Sequence, residues 1–256
     1  MSHPNLTAIR TIARREVARI LRIWGQTLVP PAITMTLYFL IFGSLIGSRI
    51  GTMDGIAYMD FIVPGLVMMA IIQNAYGNIS SSFFGAKFGR HVEELLVSPM
   101  PNWVILGGYV AGGVLRGLMV GAIVMVIAMF FTPVRIPHPL ITLSTVILGA
   151  VIFSLAGFVN AVYAKKFDDI AIVPTFILTP LTYLGGVFYS VKLLPDWAEA
   201  ATHLNPVFYM VNAFRYGLLG QSDVSMVTAY VLMLGFVAGL TALGLWLLKK
   251  GVGLRS

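Results

Sequence analysis

Residues 226–248 read MVTAYVLMLGFVAGLTALGLWLL, an apolar run with no charged side chain before Lys249 and Lys250. At 1.5 Å per residue, a helix of this length crosses the ~30 Å hydrocarbon core of a bilayer. Residues 28–46, LVPPAITMTLYFLIFGSLI, repeat the pattern near the other end of the chain. Neither run alternates with the period of two that a barrel strand of about ten residues requires. Lipid offers no hydrogen bonds to an open backbone, so the remaining solution is helical and the chain is expected to be an all-α membrane protein. Composition agrees: of 256 residues, 58% are apolar and 11% charged, against about a quarter charged in soluble domains. There is no cysteine, which excludes disulfides and thiolate metal sites.

Working outward, apolar segments at about 28–47, 58–82, 104–131, 140–163, 170–190 and 226–248 predict six transmembrane helices. On one side of these spans fall Arg10, Arg14, Arg15, Arg19, Arg22, Lys87, Arg90, Lys165, Lys166, Lys249, Lys250 and Arg255; on the other, only Arg49, Arg135, Lys192 and Arg215. The positive-inside rule therefore puts both termini in the cytoplasm. The net charge of +7 reads as topological, and no nucleic-acid partner is expected. Residues 1–27 hold an amphipathic helix, with Leu6, Ile9, Ala13, Val17, Ile20 and Trp24 at three- and four-residue spacing and the arginines mostly off that stripe. Such a helix lies along the anionic cytoplasmic leaflet. A signal peptide is the competing reading, but the apolar run that follows is too long and lacks a small-residue cleavage pattern. Residues 191–225 are too apolar for a free loop, with Leu193, Leu194, Trp197, Phe208, Tyr209, Phe214 and Tyr216. They are expected to form a re-entrant helix pair in the outer leaflet before the last span. No fixed-period repeat or flexible linker interrupts residues 1–256, so a single domain is expected.

The spans lack catalytic chemistry. There is no G-x-S-x-G and no H-E-x-x-H; His91-Val92-Glu93-Glu94 comes near but has no second His on the same helix face. Ion-coupled transport calls for buried carboxylates, and Asp54, Asp60, Asp168, Asp169, Asp196, Glu199 and Asp223 fall in loops or at span ends. Carbonyls and hydroxyls leave sodium open, so a secondary transporter stands as an alternative, beside a lipid-acting enzyme or scaffold. Arg116 is the one charge inside a predicted span; snorkelling to head groups or an interior ion pair is favoured over substrate recognition. No G-x-x-x-x-G-K-[ST] is present, so any ATPase must be a separate polypeptide. Its contact surface would lie in the longest cytoplasmic connection, residues 83–101, where Phe84, Phe88, His91 and Leu95 recur at helical spacing until Pro99 and Pro101 stop the helix. Periodicity alone leaves open whether this is a docking helix or a solvated connector.

Taken together, the basic entry helix, the spans, Glu93-Glu94-Leu95-Leu96-Val97-Ser98-Pro99 and Leu204-Asn205-Pro206-Val207-Phe208-Tyr209 resemble the ABC-2 permeases of bacterial exporters. The runs Thr27-Leu28-Val29-Pro30-Pro31, Ser81-Ser82-Phe83-Phe84-Gly85-Ala86-Lys87 and Pro180-Leu181-Thr182-Tyr183-Leu184-Gly185-Gly186-Val187-Phe188-Tyr189 extend the likeness to inner-membrane members. The resemblance implies a type V exporter-like fold in the bacterial inner membrane: a homodimer with two copies of a cytoplasmic ATPase, which binds the ATP and magnesium, so that no cofactor, metal or catalytic residue belongs to this chain. It also implies that residues about 84–98 form a coupling helix, with Phe84, Lys87, Phe88, Arg90, Glu93, Glu94 and Leu95 at the ATPase. Tyr38, Phe39 and Phe42 in the first span and Tyr183, Phe188 and Tyr189 in the fifth are candidates to line the translocation path, although lipid packing explains any one of them.

Overall fold

The computed structural model describes residues 4–253; Arg255, counted among the basic residues above, lies outside them. The first helix, α1 (Pro4–Arg22), leads into α2 (Trp24–Ile50), which winds as a π-helix over Phe39–Ile46. A small antiparallel hairpin follows, β1 (Thr52–Met53) and β2 (Ile56–Ala57). Asp54 and Gly55 form its turn at φ 51° and 78°, the positive values that a two-residue hairpin with strand-matching twist demands. Next come α3 (Tyr58–Phe88), α4 (His91–Val97), α5 (Asn102–Ala128) and α6 (Pro139–Tyr163). The last group is α7 (Asp169–Tyr183), with π-helical winding over Pro174–Leu178, then α8 (Asp196–Thr202), α9 (Pro206–Leu219) and α10 (Met226–Lys250).

Helix α3 is the central post. It is buried on every side from Phe61 to Ile72, as a helix apolar all round must be, and it packs most extensively against α5 and α6. Small residues allow the approach: a Cβ built on Gly157 of α6 would stand 2.5 Å from the carbonyl oxygen of Tyr76. By contrast α2 and α10 carry rows of exposed apolar side chains, among them Leu37, Leu40, Ile41, Leu45, Val227, Val231 and Leu234. Lipid is the solvent these faces suit.

Among the described residues five helices are long and apolar enough to cross a membrane: Trp24–Ile50, Tyr58–Phe88, Asn102–Ala128, Pro139–Tyr163 and Met226–Lys250. The segment expected as the fifth span is helical only over Asp169–Tyr183. Beyond it the chain leaves the helix, and Gly186 takes φ 73°. Residues 184–190 nevertheless run against the core, with Val187 and Ser190 fully buried. The Phe188 carbonyl accepts from the Tyr58 hydroxyl at 2.9 Å and the Gly186 carbonyl from Arg215 at 2.7 Å. Helix α9 is the most deeply buried part of residues 191–225, and Asn205 caps it by accepting from the Val207 amide at 3.0 Å.

The buried face of α1 only partly matches the stripe given above: Ile20 is fully buried and Ile9, Ala13 and Val17 are half-buried. Leu6 and Trp24 are exposed, whereas Ile12, Glu16 and Ile20 form the buried face. This face packs on α5, where a Cβ on Gly108 or Gly112 would meet Ile12 or Glu16 within 2.7 Å. The two helices thus run side by side in the same direction.

Candidate functional site

The connector begins where α3 ends. Arg90 takes the left-handed conformation, φ 60°, and turns the chain sharply into α4, which stops at the extended Ser98 before Pro99. Seven residues were expected to face an ATPase, and the structure divides them. Phe84 is buried, edge-to-face with Phe167 at 5.0 Å. Lys87 also turns inward: its Nζ donates to the carbonyls of Val162 and Ala164 at 2.6 and 2.7 Å. Those carbonyls belong to the end of α6, where a helix leaves its last acceptors without intrahelical donors. Phe88, Arg90, Glu93 and Glu94 are exposed, and Leu95 is half-buried. Phe88 packs edge-to-face on Phe167 at 5.1 Å, so the outward surface joins the end of α3 to the loop between α6 and α7. Asp169 holds that loop by accepting from the amides of Lys165 and Lys166 at 2.7 and 3.0 Å, and these bonds keep its carboxyl below the usual carboxylate range. Val97, at 87% exposure, adds apolar area to a face otherwise edged by charge.

The aromatic candidates also divide. Tyr38 and Phe42 of α2 meet Tyr183 at the end of α7 and Phe188 just beyond it. The Tyr38 and Tyr183 hydroxyls are 2.6 Å apart, Phe42 lies 4.7 Å from Phe188 between ring centres, and Tyr183 stacks on Phe188 at 5.5 Å. Phe39 points elsewhere, fully buried and stacked on Phe131 at 5.5 Å. The Tyr189 hydroxyl is buried without a partner among the described residues. Both helices that bring this cluster together contain a π-helical stretch, a winding that recurs at functional sites.

Two polar arrangements went unseen in the sequence. On α9 Arg215 is buried, its guanidinium 4.0 Å over the Phe61 ring. Asp223 lies 4.0 Å from it and pairs with Lys192 at 2.9 Å, which holds that ammonium above its ordinary pKa. Between α1 and α3, Glu16 is 1% exposed. It accepts from Ser82 Oγ at 2.6 Å and from Arg19 Nη2 at 2.9 Å. The same Arg19 nitrogen reaches Asn78 Oδ1 at 2.7 Å. The signal was present: Glu16 stands four residues from both Ile12 and Ile20, on one helix face.

Residues 7–219 match the ABC-2 type transporter family. Among curated proteins, the chain is 56% identical to the inner membrane transport permease YadH of Escherichia coli K12 over 256 residues, 100% of both chains. It is 27% identical to nodulation protein J of Sinorhizobium fredii over 187 residues, 73% of this chain and 71% of that one. For nodulation protein J of Rhizobium leguminosarum bv. viciae the figures are 22% over 186 residues, 72% of each. With the family matched over most of its length and a relative this similar from end to end, the chain belongs to the ABC-2 type transporter family.

Proposed function

We propose that this chain is the permease of an ATP-driven exporter of the bacterial inner membrane, working as a homodimer with two copies of a separate cytoplasmic ATPase that binds ATP and magnesium. Family membership supports the broad reading, because ABC-2 permeases are non-catalytic and generally pair with a cytoplasmic ABC ATPase. One observation carries the finer reading: the exposed surface of the α3–α4 connection, Phe88 and Arg90 at the turn with Glu93, Glu94 and Val97 on α4, rests on the end of α3, which Lys87 and Phe84 fasten to α6 and the 164–168 loop. A docking helix has to be rigid beneath and sticky above, and a merely solvated connector needs neither property.

In this reading both termini are cytoplasmic and α1 stands at the inner interface beside the first turns of α5, its exposed Leu6 and Leu21, with Trp24 at the start of α2, in lipid and its arginines at head groups. Helix α7 with the buried backbone of residues 184–190 completes a sixth crossing, since irregular backbone at membrane depth is tolerated where protein covers it. Helices α8 and α9 form the re-entrant pair. The Tyr38, Phe42, Tyr183 and Phe188 cluster borders the path, and its cargo is hydrophobic or amphipathic: a glycolipid, a polysaccharide or a drug. ATP-driven closure of the ATPases pushes on α4, and rigid-body shifts of the helices open and close the dimer interface.

The test is purification of the tagged chain in mild detergent with cross-linking at positions 88 and 94, followed by mass spectrometry and a nucleotide-hydrolysis assay. A stoichiometric P-loop ATPase with vanadate-sensitive activity is expected. Recovery of the chain without one after cross-linking would turn attention to ion-gradient-driven transport.

A further inference from the structure

We propose that Arg116 and Arg19 form a binding site for a phosphate group at the inner membrane interface. Arg116 of α5 donates through Nη2 to Asn74 Oδ1 at 3.3 Å, and Arg19 of α1 through Nη2 to Asn78 Oδ1 at 2.7 Å. Asn74 and Asn78 lie one turn apart on the same face of α3, about 6 Å in rise. The two guanidinium groups are thereby anchored at neighbouring levels along one polar stripe.

Their charge is balanced only in part from within the protein, by Glu16 at Arg19. Among the described residues no carboxylate lies within ion-pair distance of Arg116, and Glu16 alone serves both Arg15 and Arg19. Arg15 spends its side-chain hydrogen bond on the Tyr109 hydroxyl at 2.6 Å. The Nε atoms of Arg19 and Arg116 are already buried without acceptors, so what remains for compensation is the outer edge of each guanidinium. Uncompensated cations at membrane depth are costly and persist with a partner. One tetrahedral anion flanked by two charge-assisted bonds of about 2.8 Å bridges donors on the order of 6–8 Å apart, a span comparable to the rise of about 6 Å between the two asparagines that hold these arginines. Arginine forks match phosphate geometry better than a point charge does.

Depth points the same way, and this step rests on the orientation proposed above. Ile12 meets Gly108 and Glu16 meets Gly112; continuing that register sets Arg116 level with Ile20, in the last turns of α1 before the chain enters α2. Beyond Arg116, α5 rises only about 18 Å to Ala128, short of a ~30 Å core. The arginine therefore sits in the inner half of the bilayer, from which its side chain reaches the head-group layer. The phosphate comes either from a lipid head group or from free phosphate.

The experiment uses the purified, delipidated full chain with native mass spectrometry, and three probes: phosphatidylglycerol, diacylglycerol with the same acyl chains, and inorganic phosphate. Wild-type protein is expected to retain phosphatidylglycerol in preference to diacylglycerol. Arg116→Gln should weaken that retention about tenfold and Arg116→Lys by less. Displacement of the lipid by millimolar inorganic phosphate would identify free phosphate as the ligand, and its failure to displace would identify the head group. Equal retention of phosphatidylglycerol and diacylglycerol by the wild type overturns the proposal without recourse to any variant. So does an Arg116→Gln protein of unchanged melting temperature that holds phosphatidylglycerol as before. No ATPase enters the assay, so a negative result here leaves the exporter reading intact, and loss of that reading leaves the phosphate result to stand.

Discussion

Replacing Gly157 with alanine tests the central packing directly. The added Cβ would stand 2.5 Å from the Tyr76 carbonyl oxygen and 3.2 Å from its carbonyl carbon, where ordinary contact begins near 3.4 Å. Both partners are helix backbone, so neither can rotate aside, and α3 and α6 must part by most of an ångström along their tightest crossing. Overpacking of this kind costs about 1–3 kcal/mol, and the rigid neighbours argue for the upper half of that range. The better helix propensity of alanine returns up to about 1 kcal/mol. A net loss of roughly 1–2 kcal/mol remains, a fall of about 2–8 °C in melting temperature for a chain of this size. Gly77→Ala is the matched control, because a Cβ there meets nothing within 4 Å, and its melting point should hold or rise slightly. Thermal unfolding of both variants in the same detergent, followed by light scattering and tryptophan fluorescence, gives the comparison. If Gly157→Ala melts with Gly77→Ala, the close approach of α3 and α6 is wrong.

Glu94→Arg, on the exposed face of α4, should lower retention of the ATPase in pull-down at least about tenfold while the melting point stays put, since surface changes usually stay within about 0.5 kcal/mol; normal retention with normal nucleotide-stimulated transport removes Glu94 from the contact. Lys87→Met withdraws the donor from the Val162 and Ala164 carbonyls. It should cost about 1–2 kcal/mol after allowance for partial exposure, seen as faster hydrogen exchange at the end of α6; unchanged exchange counts against the brace. Asn205→Ala removes the α9 cap and the bond to the Leu181 carbonyl at 2.7 Å. It should cost about 2–3 kcal/mol and speed proteolysis of residues 191–224 in spheroplasts, whereas rapid cleavage of the wild type there would sink the membrane-embedded reading of that segment.

The helices were legible because their driving force is one-dimensional. A run such as residues 226–248 needs only lipid around it, and its length and polarity say so. The connector was legible for a related reason: Phe84, Phe88, His91 and Leu95 keep helical spacing, and Pro99 marks the stop. Which side of it faces inward was not, because Lys87 finds its acceptors on α6, 75 and 77 residues further along. Local spacing carries no information about a partner so distant. Tyr38 and Phe39 illustrate the same limit, being adjacent in sequence yet directed to Tyr183 and Phe131. Glu16 escaped for another reason. The arginines around it suggested a wet surface, whereas Ser82, Asn78 and Arg19 make its burial tolerable only once α1 and α3 are packed. The shortened α7 was hidden because residues 184–190 are as apolar as a helix end, although Gly185-Gly186 stood in plain view.

The fastening of Lys87 to the end of α6 bears on the stiffness of the end of the bundle that carries α4. A strut attached to one post bends that post; a strut pinned to two delivers its load to the frame. A load placed on α4 would pass into α3 through the tight Arg90 elbow and from α3 into α6 through the lysine. Those two posts cross again at Tyr76 and Gly157, so the triangle is closed. The base therefore tilts as a unit, and slack introduced at that single ammonium would let one post pivot while the other stands still.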